Sequence, residues 1–327
     1  MRSVALDSPQ TDPAAATSAA TGEFGAAMLQ ALRSRPRSIA PKFFYDRQGA
    51  ALFEQICGLD EYYLTRTEVA ILREHAQDIA QLIGPRADLV EFGAGTPDKA
   101  RIVLDALPSP ARYAPVDLSV EHLTGARDEL ERSYPGLAVD PLAADFGRPL
   151  AVLMQCPSVG RRVGLFLGST IGNLSPEQAR DFLSGAAAGL SGGGLLVGVD
   201  LVKDPVVLHR AYNDAEGITA AFNRNLLARA NRELDADFDP RSFDHYAFYQ
   251  PCEQRIEMHL ISSRRQRVRV CGCSFEFAQG ETLHTENSYK YTIEGFRDLA
   301  RAAGLVPGPV WCDAQQRFGL HWLAASP

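Results

Sequence analysis

Apolar and polar residues along this chain follow two periods in succession. From about residue 67 to residue 200, short apolar runs alternate with segments whose apolar residues recur every three or four positions. A helical stripe of Val69, Leu72, Ile79 and Leu82 comes first, over Thr67 to Leu82. Strands are then predicted at Leu89 to Phe92, Arg112 to Leu118, Leu137 to Asp140, Val163 to Gly168 and the run ending at Asp200. Between them lie a helix faced by Ile102, Val103 and Leu107 and another over Pro176 to Leu190. This repeated strand and helix order predicts an α/β fold, a doubly wound and mostly parallel Rossmann-like sheet.

Beyond Asp200 the period changes. A long helical region over Pro205 to Leu234 is followed by alternating strands near Tyr246 to Tyr249, Arg255 to Ser262 and Arg267 to Phe277. That is too long for a connection and too regular for a disordered insert, so it predicts a second, α+β domain. An amphipathic segment with Phe24, Met28, Leu29 and Leu32 and an aromatic stretch from Phe43 to Tyr63 belong with it. The expected division is a flexible arm over residues 1–21, a discontinuous second domain over 22–66 and 201–285, and the sheet domain over 67–200 and 286–327. Helix Ile293 to Ala303 and strands at Val310 to Cys312 and Phe318 to Ala324 would close the first sheet. A crevice between two such domains is where a second substrate would lie.

Composition narrows the partners. The 327 residues carry a net charge of −7 and no long basic run, which disfavours nucleic acid and anionic membranes and favours a small molecule. No stretch approaches the roughly 18 apolar residues of a membrane span. The six cysteines are scattered without a secretory leader, so reduced thiols and a cytoplasmic location are expected, and Cys271-Gly-Cys273 lacks the second pair that a zinc site requires. No metal is expected.

Candidate chemistry begins at Glu91-Phe-Gly-Ala-Gly-Thr-Pro-Asp98. Gly93 and Gly95 allow a tight turn after a strand, and Thr96 with Pro97 reads as a helix cap with proline at the first helical position. Such a turn presents backbone N–H groups and a positive dipole end to a nucleotide-like ligand. A dinucleotide fingerprint wants a small residue where Asp98 stands, so NAD is disfavoured. S-adenosylmethionine, with an amino acid end, a ribose and an adenine, suits the turn better. Asp117 at the end of the second strand could hold a ribose diol, or with Ser119 merely cap the next helix. Asp145 beside Phe146 could accept from the adenine amine while the ring packs on the base. The fourth strand breaks into Ser169-Thr-Ile-Gly-Asn173, which places Asn173 at the sheet's C-terminal edge. Tyr45 and Tyr62 either pack a small subdomain or turn their hydroxyls into a polar pocket.

Together with Gly168-Ser-Thr-Ile-Gly-Asn-Leu174, Asp200-Leu-Val-Lys-Asp204, Phe222-Asn-Arg-Asn225, Ile256-Glu-Met258 and Glu286-x-Ser288, these motifs resemble the L-histidine Nα-methyltransferases of ergothioneine biosynthesis. The resemblance covers nearly everything after about residue 35. It implies a class I S-adenosylmethionine-dependent methyltransferase that converts histidine to the trimethylated betaine hercynine and releases S-adenosylhomocysteine. By motif position Gly93, Lys99, Asp117, Asp145 and Phe146 would bind the cofactor. Tyr45, Asn173 and Tyr212 would orient the α-amino and carboxylate groups, with Asn173 and Tyr45 closest to the chemistry, and Tyr62, Met258, Glu286 and Ser288 would surround the imidazole. A monomer is expected. Asn287 and Tyr289 depart from the smaller or less polar neighbours the family would place beside Ser288. The implied reaction is an in-line displacement by a neutral amine, for which positioning matters more than a strong base.

Three other functions compete: an N-methyltransferase of another aromatic amino acid such as tryptophan, a noncatalytic S-adenosylmethionine-binding regulator, and an NAD-dependent dehydrogenase. A carboxylate at position 286 matches an imidazole N–H and offers little to an indole.

Overall fold

The computed structural model describes residues 13–117, 120–155 and 158–326, with side chains from residue 22 onward apart from 120–122 and 126. Helix α1 (Pro13–Arg33) leads through strand β1 (Arg37–Ser38) to helix α2 (Arg47–Gly58). Helices α3 (Tyr63–Glu74) and α4 (Ala76–Ile83) precede β2 (Asp88–Phe92), α5 (Asp98–Ala106), β3 (Arg112–Asp117) and α6 (Val120–Ser133). Two-residue strands β4 (Ala138–Val139) and β5 (Leu142–Ala143) are followed by α7 (Pro149–Gln155), β6 (Arg162–Phe166), α8 (Pro176–Gly189), β7 (Gly194–Asp200), α9 (Pro205–Tyr212) and α10 (Ile218–Glu233). The chain ends with β8 (Phe243–Gln250), β9 (Arg255–Ser262), β10 (Gln266–Val270), β11 (Cys273–Phe277), β12 (Thr282–Tyr289), α11 (Ile293–Ala302), β13 (Leu305–Cys312) and β14 (Phe318–Ala325).

The chain divides into two compact units. Unit 1 holds residues up to Ile56, Tyr212–Phe248 and Glu257–Glu286; unit 2 holds Cys57–Ala211, Tyr249–Ile256 and Asn287 onward. The expected boundaries at 66, 200 and 285 thus move to 56, 211 and 286. Most of the arm expected over residues 1–21 lies outside the described residues; from Pro13 the backbone is helical, interrupted at Gly22.

Unit 2 is built on a sheet of order β13-β14-β7-β6-β2-β3-β4, with β5 also paired to β3. Strands β2, β3, β4, β6 and β7 are mutually parallel, and β14 runs antiparallel to both β7 and β13. Every residue of β2 and of β7 is buried, as expected of strands covered on both faces. Phe92, Phe166 and Phe182 pack in the core with Val90, Leu195 and Leu183. This is the doubly wound α/β sheet expected from the alternation of apolar periods.

Several elements are shorter than the apolar pattern predicts, each for a local reason. The stripe from Thr67 to Leu82 is broken at His75, whose backbone leaves the helical region between α3 and α4. The helix expected over Pro205 to Leu234 is two, because Gly217 adopts a left-handed conformation and Asp214 accepts from the N–H groups of Ile218 and Thr219, which starts α10 afresh. The strand expected over Arg267 to Phe277 is a hairpin, turned by Cys271 and Gly272, both at positive φ. Pro97 caps α5 instead of opening it, so Asp98 is the first helical residue.

Unit 1 contains a four-stranded sheet of order β1-β12-β9-β8. Asp46 fastens the start of α2: its Oδ1 accepts from the Gly49 N–H at 2.8 Å and from the Asn225 amide of α10 at 2.7 Å, while Arg232 reaches its other oxygen. Phe44, Tyr45 and Phe53 gather around Phe222 of the same helix.

At the sheet edge where β2, β3 and β6 begin, Asp88 is fully buried and stands in register with Arg112 and Arg162. It accepts two hydrogen bonds from Arg112, at 2.8 and 2.9 Å, and one from Arg162 at 3.1 Å. Removing one member of a buried, bidentate cluster costs about 3–5 kcal/mol because the partner charges lose their acceptor. Asp88→Ala is therefore expected to lower unfolding free energy by about that amount, read as a lower denaturant midpoint. A change of less than about 1 kcal/mol would show that the cluster does not hold the strand starts together.

Candidate active site

The opposite, C-terminal edge of the unit 2 sheet collects polar groups. The turn after β2 folds back over the end of β3: Gly93 and Ala94 donate to the Val116 carbonyl at 2.8 and 3.1 Å, and Gly95 donates to Asp117 Oδ2 at 3.3 Å. Gly93 and Gly95 have φ of 72° and 51°, which an L side chain resists. A methyl on Gly93 would also stand 3.2 Å from the Phe146 ring. The bare backbone, Asp117 and Phe146 are thus brought together in one turn region. Asp145 meanwhile accepts from the Gly147 N–H at 2.9 Å, which fixes its carboxylate in the same loop.

Lys99 does something the sequence did not disclose. Its Nζ pairs at 2.6 Å with Glu68 of α3, a carboxylate with no exposed surface. Glu68 in turn accepts from the Gly168 N–H through both oxygens, each at 2.9 Å. A Cβ on Gly198 of β7 would lie 1.9 Å from Glu68 Oε1, so only glycine leaves room for this carboxylate. Lys99 neutralises it.

Glu91 of β2 is buried, and the Tyr113 hydroxyl donates to it. Burial pushes its pKa up to about 8, against the opposing pull of the Tyr113 hydrogen bond and of Lys99; Glu68 and Asp117 add to the rise. A third acidic strand end, Asp200 of β7, keeps its charge: burial would raise its pKa, but Lys290 and Lys203 outweigh that and hold it below the usual carboxylate range. Both its oxygens accept from the Tyr63 hydroxyl, at 2.8 and 2.9 Å. Lys203 lies 2.6 Å and Lys290 2.9 Å from it. Burial draws Lys203 down to about 8 despite Asp200.

This network continues to Ser288, whose Oγ accepts from Lys290 Nζ at 2.8 Å. Asn173 ends a 3₁₀ turn over Thr170–Asn173 that starts after Ser169, held at φ 57° with its Oγ accepting from the Asp200 N–H at 2.9 Å. Gly172 packs so tightly on β12 that a Cβ would lie 2.8 Å from the Tyr289 carbonyl and 3.5 Å from Ser288 Oγ. Asn173 and Ser288 therefore leave neighbouring backbone segments. Tyr289 turns its hydroxyl to Arg255, 2.6 Å away, which accounts for one of the two departures around Ser288. Asn287 Oδ1 is buried without a hydrogen-bond partner, and nothing in the structure explains that residue.

The other expected site residues divide between the units. Tyr62 belongs to unit 2, not to the second domain, and is buried just before α3. Tyr45, Tyr212, Met258 and Glu286 belong to unit 1. Tyr45 is 40% exposed and stands edge-on to Phe53 and Phe222. The Tyr212 carbonyl meets His245 Nε2 at 2.9 Å, and Met258 is fully buried in β9. Tyr63, Glu68, Lys203 and Lys290 were not expected at the site. Tyr63 reads as core in the sequence, and its role becomes visible only when Asp200 is placed beside it.

A sheet edge with a glycine turn, an aromatic ring packed beside it and three acidic residues at strand ends fits a nucleoside-binding enzyme of the doubly wound α/β class, of the kind that uses S-adenosylmethionine. The chain belongs to the family of histidine-specific, S-adenosylmethionine-dependent methyltransferases, whose pattern it matches over residues 24–325. It is 45% identical over 295 residues to a histidine N-alpha-methyltransferase of Mycolicibacterium smegmatis, covering 88% of this chain and 91% of that protein. It is 44% identical to the protein of the same name from Mycobacterium tuberculosis, over 90% of this chain and 92% of the other. Ergothioneine biosynthesis protein 1 of Neurospora crassa shares 31% identity over 89% of this chain, which corresponds to 33% of that longer protein.

The raised Glu91 has a consequence for stability. The folded chain holds this proton more tightly than the unfolded chain, whose Glu91 titrates near 4.5, so its contribution falls as pH rises from about 4.5 through about 8. Glu91→Gln keeps an acceptor for Tyr113 and removes the titration. Between about pH 5 and pH 8.5, wild type is expected to lose on the order of a few kcal/mol more unfolding free energy than the variant. Parallel stability profiles would contradict the buried, protonated Glu91.

Proposed function

We propose that the protein transfers methyl groups from S-adenosylmethionine to the α-amino nitrogen of L-histidine, three in succession, to give hercynine for ergothioneine biosynthesis. The observation that carries this reading is the join of the glycine turn, Asp117 and Phe146 to a second polar network that ends at Ser288, in a chain of this family. The names of its relatives and its resemblance to them supply the nitrogen and the pathway.

Gly93, Asp117, Asp145 and Phe146 are assigned to the cofactor. Gly93 offers bare backbone beside an aromatic ring, and Asp117 is a half-buried acceptor suited to hydroxyl protons. Lys99 is assigned to the same end, acting through Glu68 by fixing where β6 ends. When bound, S-adenosylmethionine supplies an electrophilic methyl on a positively charged sulfur. Asn173 and Tyr45 orient the amine lone pair, Tyr212 and Tyr62 help to hold the amino acid, and Glu286, Ser288 and Met258 receive the imidazole. Lys290 donates to Ser288 Oγ, so the Ser288 hydroxyl proton points elsewhere and can serve a ring nitrogen. A Glu286 carboxylate would accept the other ring N–H. The enzyme is taken to act as a cytoplasmic monomer on free histidine. Among the described residues no helix is long and apolar enough to cross a membrane.

Two variants test the assignment. Asn173→Ala is expected to lower kcat by roughly a hundredfold, the scale of a lost positioning contact, with S-adenosylhomocysteine affinity within about threefold of wild type. Near-normal hercynine formation would defeat the role of Asn173. Glu286→Ala is expected to raise the histidine KM about tenfold or more and to narrow the preference over tryptophan. An unchanged KM and preference would remove Glu286 from the imidazole site.

A further inference from the structure

A second cluster of donor atoms lies within unit 1, on the four-stranded sheet. Glu257 and His259 stand two residues apart on β9 and so project to one face, and His284 comes from β12. One carboxylate oxygen of Glu257 and one ring nitrogen of each histidine all lie within 4.8 Å of one another. Glu257 Oε2 is 3.0 Å from His259 Nε2. The two imidazoles are stacked with centroids 4.5 Å apart, and Phe248 stacks on His259 at 5.6 Å.

Stacking alone does not account for the nitrogens. His284 Nε2 is 3.0 Å from the Glu286 carbonyl, which can only accept, so Nε2 carries the proton and Nδ1 holds the lone pair. An imidazole tied through one N–H to a backbone carbonyl is oriented as metal-ligating histidines are. His259 faces Glu257 Oε2 through Nε2, so Nε2 is the nitrogen it would offer to this set, while its buried Nδ1 has no hydrogen-bond partner.

We propose that Glu257, His259 and His284 form a binding site for a divalent late transition ion of the Zn²⁺ type. Two imidazoles and a carboxylate make up a three-ligand set that leaves a fourth tetrahedral position to solvent. Mixed nitrogen and oxygen donors favour such an ion over Ca²⁺ or Mg²⁺, which take oxygen ligands. Zinc bonds of about 2.0–2.1 Å in a tetrahedron hold ligand atoms roughly 3.4 Å apart, so the set closes by turning the His259 ring out of the stack while His284 keeps its hydrogen bond to the Glu286 carbonyl. The site shares no residue with those assigned to S-adenosylmethionine or histidine.

The test is calorimetric titration of the full-length, metal-stripped protein with Zn²⁺, without histidine, which would itself chelate the ion. Wild type is expected to bind one ion per chain at micromolar concentration, with affinity weakened about tenfold or more in Glu257→Gln and lost in the His259→Ala/His284→Ala double variant. Unchanged circular dichroism and S-adenosylhomocysteine binding would establish that the variants fold. Because the chain has six cysteines, Co²⁺ is the second probe, and a nitrogen and oxygen site gives weak visible bands without an intense thiolate charge-transfer band. Equal Zn²⁺ affinity in wild type and Glu257→Gln, or a thiolate band in the Co²⁺ protein, would overturn the proposal.

Discussion

The constraint on which the unit 2 site depends is the crowding of buried carboxylates at one edge of a parallel sheet. Asp117 and Asp200 end two strands there, Glu91 is the last residue but one of a third, and Glu68 is inserted from α3 beneath Gly168. Each negative charge removed from water must be met by a cation, a proton or several donors. Glu68 is met by Lys99, Asp200 by Lys203, Lys290 and Tyr63, and Glu91 by a proton and Tyr113. Local structure follows from these pairings. Gly198 must lack a side chain so that Glu68 fits, and Ser169 adopts its left-handed backbone where its hydroxyl meets the Asp200 N–H.

An edge arranged in this way suits a ligand that brings positive charge together with a ribose and a base. Asp117 stays half-buried at the glycine turn, while burial pushes the pKa of its neighbour Glu91 up to about 8, which favours the uncharged form of the more deeply buried carboxyl. The Asp200 network then carries order outward through Lys290 to Ser288, the residue that the family resemblance assigns to the imidazole. The Lys99–Glu68 pair and the Asp200 network thus meet at the consecutive residues Gly168 and Ser169 and form one electrostatic scaffold at this sheet edge.

Much of the sheet domain was legible in the sequence, because parallel strands buried on both faces show as apolar runs and the glycine turn has a local signature. Asp117 and Phe146 were legible for the same reason, since each ends or follows a recognisable strand. The breaks at His75, Gly217 and Cys271-Gly272 were not, because each replaces one long apolar period by two shorter ones in the same phase. Glu68, Tyr63, Lys203 and Lys290 were missed for a different reason. Their importance comes from partners 100 and 137 residues away in the cases of Gly168 with Glu68 and Asp200 with Tyr63. No local pattern announces such a pairing.

The central claim is that this scaffold directs methyl transfer to the α-nitrogen of histidine and leaves the ring untouched. The most direct measurement is carbon-13 NMR of the product formed from histidine and S-adenosylmethionine labelled in its methyl group. The account predicts a single resonance for equivalent methyls on the α-nitrogen of hercynine, with unmodified imidazole signals. Label on a ring nitrogen, or no transfer to histidine, would contradict it.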